Sequence, residues 1–72
     1  MNEITISTPF FNEEEGLDNY FNTLKSINNI LIKMGTKGYF LFIDDGSKDK
    51  TVDLLEDFRI KNLYLNINIV KH

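Results

Sequence analysis

Five consecutive apolar residues, Tyr39-Phe40-Leu41-Phe42-Ile43, run directly into Asp44-Asp45-Gly46-Ser47. A run this short, rich in β-formers and bounded by a sharp polar break, is a strand covered on both faces. That is the pattern of a parallel sheet with helices packed on it. The segments on either side agree. Ile4-Thr5-Ile6-Ser7-Thr8 is β-branched, with Ile4 and Ile6 on one face, and the proline that follows is expected to stop it. Leu17, Tyr20, Phe21, Leu24, Ile27, Leu31 and Met34 then recur at spacings of three and four, one apolar stripe about five turns long. Asn12 is the expected N-cap of that helix, with Glu15 as its capping-box partner and Glu13, Glu14 and Glu15 at the positive end of the dipole. Lys33 and Gly35 mark its far end.

After Asp49 the pattern becomes helical again from Thr51 to about Arg59, with Val52, Leu55 and Phe58 facing inward and Ser47 or Asp49 as cap. Leu63–Val70 returns to alternation, with Leu65, Ile67 and Ile69 set against Asn66 and Asn68. The order β-α-β-α-β predicts an α/β fold: a three-stranded parallel sheet with right-handed crossovers, half of a doubly wound domain. In a 3-2-1 strand order, such crossovers put both helices on one face and leave the other bare. Tyr39, Leu41 and Ile43 point one way and Phe40 and Phe42 the other. Self-association through an uncovered face bearing Phe40 and Phe42 is therefore expected, giving a homo-oligomer.

Size and composition set limits on function. At 72 residues the chain holds one domain at most, and a core that small rarely supplies more than about 3–5 kcal/mol. The absence of Cys removes disulfides, thiolate zinc sites and thiol chemistry. A net charge of −3, with eight scattered Lys and Arg, argues against nucleic acid. No apolar run approaches the roughly 20 residues of a membrane span, and no signal-peptide pattern opens the chain. A cytoplasmic domain is the default expectation.

In open α/β sheets, ligands bind beyond the carboxyl ends of the strands. The two non-periodic segments fall there: Pro9-Phe10-Phe11-Asn12-Glu13 and Asp44-Asp45-Gly46-Ser47. Together they offer a flat aromatic, a proline wall, carboxylates and a helix N-terminus. A planar base with N–H groups at its edge suits such a set, stacked on the ring and held by a carboxylate. A bare phosphate suits it poorly without a divalent cation. Turn and cap chemistry accounts for Gly46, Ser47 and Asp49, but leaves two adjacent carboxylates at the end of a buried strand unexplained. His72, the sole histidine, has no expected partner, so a Ser-His-Asp arrangement around Ser47 fails. No glycine-rich phosphate loop is present.

The residues Ile4-Thr5-Ile6-Ser7-Thr8-Pro9-Phe10-Phe11-Asn12-Glu13-Glu14, followed at about thirty residues by Phe42-Ile43-Asp44-Asp45-Gly46-Ser47-Lys48-Asp49-Lys50-Thr51, resemble the opening of family 2 glycosyltransferases of the GT-A fold. In that family the first strand ends in Pro-x-Tyr-Asn-Glu and the second in Asp-Asp-Gly-Ser-x-Asp-x-Thr. The resemblance spans nearly the whole chain. It implies transfer of a sugar from a nucleotide diphosphate sugar with inversion, using Mg²⁺ or Mn²⁺, in roles that include the synthesis of cell-wall and other polysaccharides, often at membranes. Carried over by position, Pro9, Phe11, Glu13, Ile43 and Asp45 would line the nucleotide-sugar pocket, with Asp44 and Ser47 as further candidates. Asp45 would accept a base N–H, and Phe11 would stand where the family has Tyr, keeping the stacking and losing the hydroxyl. The family's Asp-x-Asp metal motif, acceptor region and catalytic base lie further along than residue 72. The resemblance thus implies an N-terminal donor-binding segment of a larger enzyme, inactive alone, with the metal ligands mostly elsewhere and no catalytic residue here. The alternatives are a non-catalytic nucleotide-binding or self-assembling α/β module, and a receiver-like signalling domain using Asp44 or Asp45 as phosphoacceptor.

Overall fold

A computed structural model describes residues 2–72. Strand β1 spans Asn2–Phe10, helix α1 Leu17–Lys33, β2 Thr36–Asp44, α2 Thr51–Lys61 and β3 Asn66–Lys71, with a 3-10 turn over Glu14–Gly16 ahead of α1. The strands form one parallel sheet in the order β1-β2-β3. The expected α/β half-domain, with three parallel strands and two crossover helices, is therefore the observed one.

The register decides which side chains meet the helices. Ile4, Ile6, Thr8 and Phe10 align with Gly38, Phe40, Phe42 and Asp44, and these with Ile67, Ile69 and Lys71. This is the helix-covered face. Phe40 and Phe42 are buried on it, packed with Phe10, Leu17, Leu24, Leu55, Phe58 and Leu65. The Phe10 and Phe42 rings meet edge to face at 5.3 Å, Tyr20 meets Phe10 at 5.2 Å, and Phe21 stacks on Phe58 at 3.9 Å. Each such side chain contributes about 1.5–3 kcal/mol by burial. Gly38 lies where α1 comes closest to the sheet: a Cβ there would stand 2.8 Å from the Leu31 methyl.

The expectation of a bare face carrying Phe40 and Phe42 is thus corrected. Both helices cover those rings, because Leu17 and Leu24 of α1 and Leu55 of α2 pack on that side of β2. The uncovered face carries Tyr39, Leu41 and Ile43, flanked by Thr5, Ser7 and Pro9 from β1 and Asn66, Asn68 and Val70 from β3.

Four boundaries also differ from expectation. Proline does not stop β1, which continues through Pro9 to Phe10. As an edge strand, β1 can accommodate a residue without an N–H. Asn12 is not the cap of α1. It adopts the left-handed conformation at φ +51°, and α1 begins five residues later at Leu17, behind Gly16 and without a side-chain cap. The capping box with Glu15 is likewise absent. Finally, β3 begins at Asn66, since Leu63 and Tyr64 lie in the preceding turn, 76% and 65% exposed.

Candidate functional site

The carboxyl ends of β1 and β2 lie side by side, and the Asp45 N–H donating to the Phe10 carbonyl at 2.9 Å closes their last pair, Phe10 with Asp44. In that register Pro9 neighbours Ile43, and Phe11 and Asp45 are the first residues beyond the two paired strands. Four of the five sequence-predicted binding residues, Pro9, Phe11, Ile43 and Asp45, therefore lie at the carboxyl ends of these two neighbouring strands. Phe11 is 55% exposed, Asp45 and Pro9 are exposed, and Ile43 is half-buried. Phe10, by contrast, is a core residue, 4% exposed. The fifth candidate, Glu13, is exposed and set apart. It lines a cleft with Thr8, Pro9, Gly16 and Tyr20 at the outer edge of β1, which Phe11, Ile43 and Asp45 do not line.

The two adjacent carboxylates are separated by the pleat. Asp44, the last residue of β2, points toward the helices and is 3% exposed. Its Oδ2 accepts the Ser47 N–H at 3.0 Å and its Oδ1 accepts the Ser47 hydroxyl at 2.5 Å. Gly46 closes this turn at φ +80°, in the left-handed region that favours glycine. Asp44 and Ser47, the two further candidates, are thus engaged with each other. Asp45 turns the other way, into solvent.

The loop after β1 is fastened to the loop after β2 by four hydrogen bonds. The Asn12 N–H donates to the Ser47 Oγ at 2.9 Å, and the Lys48 N–H donates back to the Asn12 Oδ1 at 2.8 Å. The Glu13 N–H donates to the Thr51 Oγ1 at 2.8 Å, and the Glu14 N–H reaches the Asp49 Oδ2 at 3.4 Å. Thr51 is fully buried, and its hydroxyl and N–H both donate to the Asp49 Oδ1. The Thr51 hydroxyl, and the backbone N–H groups behind it, hold the Asp49 carboxyl below its ordinary value of 3.8. Neither cap expected for α2 is the observed one: the N-cap position is Lys50, with no side-chain cap bond, and Asp49, one residue earlier, accepts the N–H of Thr51, the first residue of the helix. His72, expected to lack a partner, donates its N–H to the Asp44 carbonyl at 2.9 Å, so β3 reaches the same edge.

Asn12 and Thr51 were not among the sequence candidates. A fully buried threonine opening a helix, and an asparagine directly after a strand, are weak signals alone. Only the topology joins them. Around the edge stand Glu13, Glu14, Glu15, Asp45 and Asp49, opposed nearby by Lys48, Lys50 and Lys71. Among the described residues, no three such groups converge in a way that could hold a metal ion, and no helix is long and apolar enough to cross a membrane.

Residues 5–72 match the family model described as Glycosyl transferase family 2. No curated protein and no solved structure matches the chain.

Proposed function

Because this chain belongs to glycosyl transferase family 2, we propose that it is the donor-binding segment of an inverting glycosyltransferase, and that the segment alone does not transfer sugar. The observation that supports this reading is that Phe11 and Asp45, both exposed, directly follow the paired ends of β1 and β2, next to Pro9 and Ile43. A base stacked on the Phe11 ring would present its N–H edge to the Asp45 carboxylate, a charge-assisted bond that rejects bases offering only acceptors there. Pro9 and Ile43 would form the apolar floor beneath the ribose. Glu13, at the mouth of the neighbouring cleft, would meet the donor further out.

Family membership supports a nucleotide-sugar donor. The identity of the sugar is no part of the reading. The Mg²⁺ or Mn²⁺ implied by the family has no assigned ligand among residues 2–72, whose carboxylates do not converge, and no step here runs through it. The metal ligands, acceptor site and base belong to other parts of the enzyme in this reading, and its location is cytoplasmic.

Calorimetric titration with UDP, GDP, CDP and ADP tests the reading. At least one should bind, and Asp45→Ala should weaken it by about 10- to 100-fold, the loss of one hydrogen bond to a charged group, ~1.5–3 kcal/mol. Affinity unchanged within about twofold overturns the role of Asp45. A second reading, assembly through the uncovered sheet face, is favoured by half-buried Tyr39, Leu41 and Ile43 standing in one row without a covering layer.

A further inference from the structure

The bonds that join the two loops all lie beside the residues assigned to the donor, yet none uses a donor-binding side chain of Phe11 or Asp45. Asn12 follows Phe11 directly and carries two of the bonds, one through its N–H and one through its Oδ1. Thr51 receives the N–H of Glu13. Asn12 also holds a positive φ, +51°, which most L-residues avoid and which Asn tolerates. That left-handed residue turns the chain from the strand direction of Phe11 into the 3-10 turn at Glu14.

We infer that Asn12 and Thr51 are positioning residues that set where Phe11 stands relative to Asp45, and so determine base discrimination. The inference rests on the donor-binding reading above. Phe11 is more than half exposed and is not part of the core. Its backbone is fixed from both ends. On the amino side, the Phe10 carbonyl accepts the Asp45 N–H. On the carboxyl side, the Asn12 N–H and Oδ1 grip Ser47 and Lys48, two and three residues beyond Asp45. Ser47 in turn is held by the buried Asp44 carboxylate. The chain Asn12–Ser47–Asp44 thus ties the stacking ring to the strand that carries the base acceptor. Thr51 repeats the arrangement one residue on, with Asp49 fixing the hydroxyl that receives the Glu13 N–H. Stacking on a ring tolerates every base, so discrimination depends on how far the ring lies from the edge acceptor. A loop released from Ser47 and Lys48 keeps the ring and loses the distance.

Asn12→Gly removes the Oδ1 while keeping the left-handed conformation, and Asn12→Asp restores an acceptor at the same place. Each variant of the full chain is titrated with UDP, GDP, CDP and ADP, and the readout is the ratio of the tightest to the weakest dissociation constant. A loss of folded protein weakens all four alike and leaves the ratio unchanged. Asn12→Gly is expected to shrink the ratio at least fivefold, and Asn12→Asp to return it to within twofold of wild type. Thr51→Val and its rescue Thr51→Ser should behave the same way with a smaller amplitude. An unchanged ratio in Asn12→Gly, with wild type binding and discriminating, overturns the positioning role alone. A wild-type protein that binds none of the four overturns the donor-binding reading, and this inference with it.

Discussion

Asp44 and Asp45 are chemically identical neighbours with opposite tasks, and replacing each in turn separates the fold from the site. In Asp44→Ala, the Ser47 N–H and hydroxyl lose their acceptor, and the turn holding Asn12 loses its anchor. Bonds to a charged acceptor are worth about 1.5–3 kcal/mol each. They share one donor residue, and removing a buried charge offsets part of the loss, so about 2–4 kcal/mol is expected. A domain of 72 residues has a total stability of only about 4–11 kcal/mol. At roughly 4–8 °C per kcal/mol, Asp44→Ala should lower Tm by about 10 °C or more. Asp45→Ala cuts an exposed side chain and spares the backbone bond to Phe10, so its stability should stay within about 0.5 kcal/mol of wild type. Circular dichroism melts read the first effect, and nucleotide titration the second. If Asp45→Ala unfolds as readily as Asp44→Ala, or if Asp44→Ala melts like wild type, the division of labour is refuted.

Three further outcomes follow from other parts of the molecule. Gly46→Ala places a Cβ on a residue at φ +80° and should cost about 1–2 kcal/mol, whereas Gly16→Ala, at φ −97° with open space around it, should be neutral or gain about 0.4–1 kcal/mol. Urea midpoints compare the two, and equal losses would contradict the backbone argument. Burial raises the Tyr20 phenol above its ordinary 10.0, against the lowering by its 2.7 Å bond to Thr8. The stability this carries is complete below pH 10.0 and is lost as pH rises through the folded value. Stability against denaturation between about pH 9 and 11.5 should therefore fall more steeply in wild type than in Tyr20→Phe, and parallel curves would remove Tyr20 from the account. Self-association through the uncovered face should give a dimer or higher species at micromolar concentration in sedimentation, dispersed by Leu41→Lys; a wild-type monomer throughout that range would refute it.

The fold was legible because both helices and β2 advertise their partners along the chain. The three- and four-residue recurrence from Leu17 to Leu31 and the unbroken Tyr39–Ile43 run require a covered parallel sheet whatever the details. Which side of β2 is covered was not legible. Tyr39, Leu41 and Ile43 are as apolar as Phe40 and Phe42, and only the packing of Leu17, Leu24 and Leu55 chooses between them. The site was half legible. The side chains proposed to meet the donor, Phe11 and Asp45, stand out as an exposed aromatic and a carboxylate at strand ends. Asn12 read as a helix cap because a cap and a cross-loop bridge demand the same residue type. The difference lies in a partner 35 residues away, Ser47, which no local pattern can disclose.

The acidic rim around the carboxyl edge bears on how quickly a donor can arrive. Glu13, Glu14, Glu15, Asp45 and Asp49 outnumber Lys48, Lys50 and Lys71, on a chain of net charge −3. A diphosphate carries the same sign and must climb this potential before its base reaches Phe11. Salt screens such a field over about 8 Å at physiological ionic strength. Encounter should therefore quicken as salt is added, the reverse of electrostatic steering. In the proposed reading, the edge that selects a base by contact also holds back its phosphates at a distance.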